Sequence, residues 1–156
     1  MRRIALCCCA VALVACNKPK EEPAMESTAA APETPAAPAP IALTDVAGKW
    51  SVRSMTESGD STLVTYELVA TGDTSGWSLN FPKRKPVPIR VVAVAGDSIV
   101  TEAGPFESVL RKGIQVTTNS VFRLQDGRLT GTTIAHYATS GADTVRNLRI
   151  EGTRAP

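Results

Sequence analysis

The chain is poor in the groups that usually carry chemistry. It has one histidine, His136, in 156 residues, so a multi-histidine metal site cannot be assembled within one copy. Aromatic residues make up 4% of the sequence, and they do not interleave with basic residues as a stacking platform for single-stranded nucleic acid requires. The apolar run from Ile4 to Val14 is too short for a permanent transmembrane helix, which needs about 20 residues. No apolar pattern of period 3.6 lasts long enough to specify a helix, which argues against an all-α fold. None of these features implies a cofactor.

The short run has a definite context. Met1-Arg2-Arg3 gives it a basic start, and Leu13-Val14-Ala15-Cys16 closes it, so residues 1–15 read as an address and not a domain. With a branched aliphatic three positions before the cut and a small residue just before it, the segment resembles a bacterial lipoprotein signal. Only Cys16 fits that pattern, because Cys7 follows Leu6 while Cys8 and Cys9 each follow another cysteine. The resemblance implies a diacylglycerol thioether on the Cys16 sulfur, cleavage before it and an acyl chain on the new amino terminus. Several acyl chains anchor stably where one is marginal. Asn17 stands where aspartate would mark inner-membrane retention, which favours the outer membrane of the cell envelope, with the domain facing the periplasm or the surface. An ordinary secretory signal ending near Ala15, or a short buried helix, is the alternative.

Processing changes the arithmetic of the whole chain. Of the four cysteines, only Cys16 would remain, and it would be lipidated, so the folded part is expected to have no disulfide. Loss of Arg2 and Arg3 leaves fifteen basic against fifteen acidic side chains, and the apparent excess of positive charge indicates no acidic partner. Residues 16–40 form the lipidated cysteine and a tether. Pro19, Pro23, Pro32, Pro35, Pro38 and Pro40 remove backbone donors and favour polyproline II, with little apolar surface to bury. The 24 residues from Asn17 to Pro40 would reach roughly 75 Å if fully extended.

Residues 41–156 suffice for one modest core. They are rich in Thr, Val and Ser and punctuated by Gly-Asp, Asp-Gly and Ser-Gly pairs, which is an all-β pattern. Strands are expected near 49–55, 62–71, 76–81, 87–95, 98–103, 106–111, 115–125, 128–137 and 144–152. Asp126-Gly127 suits a type I′ turn between Val121-Phe122-Arg123-Leu124 and Leu129-Thr130-Gly131-Thr132, and Gly96-Asp97 sets a second tight hairpin. Successive hairpins make a meander, and eight or nine strands hide their edges best by closing into an up-and-down barrel. A β-sandwich is the alternative.

Alternation assigns faces. Val64, Tyr66, Leu68 and Ala70 share one side, as do Trp77, Leu79 and Phe81; Val116, Thr118, Ser120, Phe122 and Leu124 share another, and so do Leu129, Gly131, Thr133, Ala135 and Tyr137. Small and hydroxyl-bearing residues on the inward side of the later strands fit either a ligand cavity or a tapering, filled barrel.

Gly48-Lys49-Trp50, after Leu43-Thr44-Asp45-Val46-Ala47, is similar to the Gly-x-Trp opening of lipocalins and lipocalin-like bacterial proteins. That resemblance implies a tryptophan closing one barrel end beneath a basic residue of the last strand. Arg146, on the expected face of Leu148 and Ile150, is the candidate for that residue. It also implies carriage of a small apolar or amphipathic molecule, with Trp50, Tyr66, Phe122, Tyr137 and Arg146 as candidate ligand-binding residues. Architecture does not by itself assign a function.

Catalytic arrangements are sparse, and a non-enzymatic protein is expected. Ser140, His136 and Asp143 fall in one short stretch without a nucleophile elbow. Glu102 and Glu107 flank Gly104-Pro105-Phe106, but no aromatic sugar platform accompanies them, and Arg111 and Lys112 offer ordinary neutralisation. Lys83-Arg84-Lys85, between Pro82 and Pro86, is the one concentrated basic stretch, a candidate partner-binding loop. Two expectations follow: a lipid-anchored envelope barrel that binds a small apolar or amphipathic ligand, or a structural and protein-interaction module of the envelope. Nucleic acid is not expected as a partner.

Overall fold

The computed structural model describes residues 40–141 and 143–156. Cys16 and the tether as far as Ala39 lie outside the described residues. A single helical turn, α1 (Leu43–Val46), leads into eight strands: β1 (Gly48–Thr56), β2 (Thr62–Ala70), β3 (Ser78–Asn80), β4 (Val87–Ala95), β5 (Ser98–Glu107), β6 (Gln115–Gln125), β7 (Arg128–Tyr137) and β8 (Val145–Arg154). Each strand pairs antiparallel with the next, and β1 pairs with β8 from Trp50↔Arg154 to Thr56↔Leu148, closing an up-and-down barrel. The fold is all-β, one closed eight-stranded up-and-down barrel; a sandwich does not form. Among the described residues, no helix is long and apolar enough to cross a membrane.

The two hairpin turns fall where the sequence sets them. Asp126 and Gly127 both have positive φ, 51° and 72°, as a type I′ turn requires, and Gln125 faces Arg128 across it. Gly96 also has positive φ, 56°, and Ala95 faces Ser98. The expected strands over 98–103 and 106–111 prove to be one. β5 continues through Gly104-Pro105, where the register with β6 shifts between Ala103 and Phe106; a proline has no donor to contribute, and a bulge is where a ladder tolerates it. Residues 108–114 then form a turn instead of strand. The third strand is shorter than expected, limited to Ser78–Asn80.

The assigned faces hold. Tyr66, Leu68, Trp77, Leu79, Phe81, Phe122, Leu129 and Ile150 are buried in one core cluster with Trp50, whereas Val116, Ala135, Tyr137 and Leu148 form a second cluster bridged to the first by Phe106. Trp50 and Trp77 are among the largest fully buried side chains. Burying such a ring contributes on the order of 4–6 kcal/mol of transfer free energy before entropy is counted.

Candidate functional site

The two ends of the barrel differ. At the end where β1 begins and β8 finishes, the Trp50 indole N–H donates to the Val46 carbonyl at 2.8 Å. The Arg154 guanidinium lies 4.5 Å from the ring centroid and donates to the carbonyls of Ala47 (2.8 Å) and Asp45 (2.7 Å). Those carbonyls belong to α1 and the residue after it, so one side chain ties the last strand to the turn that precedes the first. Gly48 is small for a related reason: a Cβ there would come within 2.9 Å of Arg154 Nη1. This end is plugged.

The basic residue over Trp50 is thus Arg154, not Arg146. Alternation places both on one face of β8, but they are eight positions apart, roughly 26 Å along the strand. The antiparallel register sets Trp50 against Arg154, while Arg146 faces Ala135 and is exposed at the other end. The expected last strand ended at residue 152, which left Arg154 outside it, whereas β8 runs on to Arg154.

The opposite end holds a cavity of about 60 Å³. Tyr66, Leu79, Phe81, Phe106 and Tyr137 supply much of its apolar lining, and Val109 and Leu110 of the β5–β6 turn roof it. Several of its polar atoms are paired with one another. Ser120 Oγ and Thr133 Oγ1 are 2.8 Å apart, and Ser54 hydrogen-bonds the Tyr66 hydroxyl. Burial pushes the Tyr66 phenol up to about 12, a rise partly offset by Ser54, so this hydroxyl stays neutral at physiological pH.

The roof is pinned at three points. Ser108 Oγ accepts from the backbone N–H of Leu110 (3.1 Å) and Arg111 (3.0 Å). Arg111 lies 4.2 Å from the Tyr137 ring centroid and donates to the Asp143 carbonyl at 2.8 Å. Arg84 reaches across from the β3–β4 loop to the carbonyls of Glu107 (2.7 Å) and Ser108 (3.4 Å). All three residues of Lys83-Arg84-Lys85 are exposed, and the middle one bridges the β3–β4 loop to the turn after β5.

Of the five candidate ligand residues, only Tyr66 and Tyr137 line this cavity. Trp50 closes the plugged end, Phe122 is buried in the main core, and Arg146 is exposed. Sequence reasoning missed Phe106, which sits beyond a Gly-Pro pair that looked like a strand end, and missed the roof residues of the turn that follows.

The carboxylates take structural roles. Glu102 pairs with Arg90, and a Glu107 oxygen accepts from the Gly113 N–H at 3.1 Å. Asp73 bonds the backbone and hydroxyl of Ser75, and these bonds hold its carboxyl below the usual range. Asp97 is likewise lowered, first by the Ser98 hydroxyl and then by Arg123. His136 and Ser140 are exposed. Among the described residues, no group of three or more His, Cys, Asp or Glu side chains is placed to hold a metal. No family model, characterised protein or solved structure matches this chain.

Proposed function

We propose that this is a lipid-anchored protein of the cell envelope whose barrel takes a small apolar or amphipathic ligand through the end roofed by Val109 and Leu110. The contrast between the two ends carries the reading. One is plugged by Trp50 and Arg154, and the other opens into an apolar cavity with paired hydroxyls on its wall. At about 60 Å³ the cavity lies well below the roughly 300 Å³ at which pockets for drug-sized molecules begin. It therefore accommodates one small apolar group, such as the end of a chain, with the rest of the ligand held at the mouth. Anchoring rests on Leu13-Val14-Ala15-Cys16.

Native mass spectrometry of the lipoprotein purified from its own envelope tests the ligand. A bound small molecule that is lost on Leu110→Trp is expected; a ligand-free protein, or one whose ligand survives Leu110→Trp, would count against the site. Anchoring is tested separately by Cys16→Ser, which should release the protein from membranes or leave it unprocessed.

A second reading, an interaction module of the envelope, draws on the outer wall. Arg84, Lys85, Pro88, Pro105 and Phe106 line a groove of about 470 Å³ beside the roof. In-cell crosslinking that captures one dominant envelope protein, weakened by Lys83→Ala with Lys85→Ala, would favour this reading over the first.

A further inference from the structure

The barrel has a weak seam. β3 is three residues long and pairs with β4 at Ser78↔Pro88 and Leu79↔Val87; beyond the bond from Ile89 N–H to the Trp77 carbonyl, no described strand pairs with that side of β4. The rest of β4 reads Arg90-Val91-Val92-Ala93-Val94-Ala95. Val92 and Val94 are 50% and 43% exposed. From Val91 to Ala95 there is no charge and no proline, and the edge-blunting feature there is a register irregularity between Val91 and Ala93, which leaves Val94 and Ala95 in regular ladder.

One described residue already touches this edge. Ile41 N–H donates to the Gly96 carbonyl at 2.8 Å. Because Ala95 faces Ser98 across the tight turn, the N–H and C=O of Ala95 point to β5, and those of Gly96 and Val94 point to the open side. If the chain is followed backwards from Ile41 along β4, every second residue presents its backbone groups to that side, namely Ile41, Ala39 and Ala37. The prolines fall between them. On such a path Pro40 and Pro38 would fall at the positions whose N–H would face solvent, where a missing donor costs nothing. Pro35 is the first proline on the facing positions, so the pattern supports pairing as far as Ala37 and no further.

We propose that the open edge of β4 is the docking site for the chain's own segment Ala36–Pro40, which adds to the barrel as a short parallel strand. Parallel pairing from the Ile41–Gly96 bond sets Ala39 N–H against the Val94 carbonyl, and the Ala37 carbonyl against Val94 N–H. The segment is covalently attached one residue away, which gives it a high effective concentration over any second chain competing for the edge. Its alanines are small enough to lie beside Val92 and Val94. Docking shields the uncharged edge and moves the effective start of the tether back to Pro35.

The Val94 amide reports on this directly. Hydrogen exchange should be followed on the full lipoprotein in detergent, with Ala37→Pro/Ala39→Pro as the disrupting variant and Pro38→Ala as its control. The expected result is Val94 exchange at least tenfold slower than in an unstructured chain, lost in the double-proline variant and kept in Pro38→Ala, at any protein concentration. Exchange at the unstructured rate in the parent overturns the proposal. So does protection that grows with protein concentration, which would mean a second copy covers the edge, or protection that survives the double-proline change.

Discussion

The guanidinium of Arg154 sits 4.5 Å from the Trp50 ring centroid while donating to the carbonyls of Asp45 and Ala47. Two kinds of bond converge on one side chain: a cation over an aromatic face, and charge-assisted hydrogen bonds to the backbone of α1. Together they lock β8 to the entry of β1, where the barrel closes on itself.

Arg154→Ala should therefore lower stability by about 1–3 kcal/mol, counting one cation–π contact and two partly exposed hydrogen bonds. For a domain of this size that is a Tm decrease of roughly 4–12 °C. Arg146→Ala, at an exposed site, should stay within about 0.5 kcal/mol of the parent. Thermal melts of the two variants side by side decide the matter, and equal losses would contradict the assignment of Arg154 as the closing residue.

Much of the barrel was legible because alternation is a local property. Tyr66 and Leu79 are apolar between polar neighbours, and Leu68, Trp77 and Phe122 keep the same two-residue step along their strands, so a strand with one wet face has to bury that set. Turn chemistry was legible for the same reason, since Asp126-Gly127 declares its dihedrals within two residues. What escaped was set by distant partners. Whether Gly104-Pro105 ends a strand or bulges it depends on β6, whose ladder resumes at Val116↔Phe106. Which arginine caps Trp50 depends on the β1–β8 register. The cavity wall depends on how residues 108–114 fold over the mouth, and no periodicity encodes that.

Gly131→Ala should be far more damaging than Gly127→Ala. A Cβ at Gly131 would stand 1.9 Å from the Val121 carbonyl oxygen, and backbone of a paired strand cannot step aside. At Gly127 nothing lies within 4 Å, so the substitution meets only the left-handed φ of 72°, worth about 1–2 kcal/mol. In urea titrations the first variant is expected to lose more than about 3 kcal/mol or to fail to fold, as overpacking against fixed atoms does. A Gly131→Ala protein as stable as Gly127→Ala would show that β6 and β7 are not so closely paired.

Alkaline stability should depend on Tyr66. Its phenol is raised from 10.0 to about 12 by burial, so the folded state holds the proton more tightly than the unfolded chain. The contribution is complete below pH 10 and is lost as pH rises through about 12. The shift corresponds to on the order of 3 kcal/mol. Denaturant titrations between pH 8 and 12 should show the parent losing stability more steeply than Tyr66→Phe, which has no proton to release. Parallel curves would mean that the phenol is not buried as described.

The hydroxyl pair on the cavity wall gives a test that separates the worth of a bond from the cost of breaking it. Ser120 and Thr133 face each other across β6 and β7, both are buried, and their oxygens are 2.8 Å apart. Thr133→Val keeps the volume but strands the Ser120 hydroxyl, which should cost about 1–3 kcal/mol. Ser120→Ala strands Thr133 in the same way. With both changes no polar group is left unpaired, so the double variant should be more stable than the sum of the single losses by at least about 1 kcal/mol. It should also leave a wall without hydroxyls at the place proposed for a ligand's end. If the two losses simply add, water reaches each hydroxyl independently, and this part of the cavity is wetter than its apolar neighbours imply.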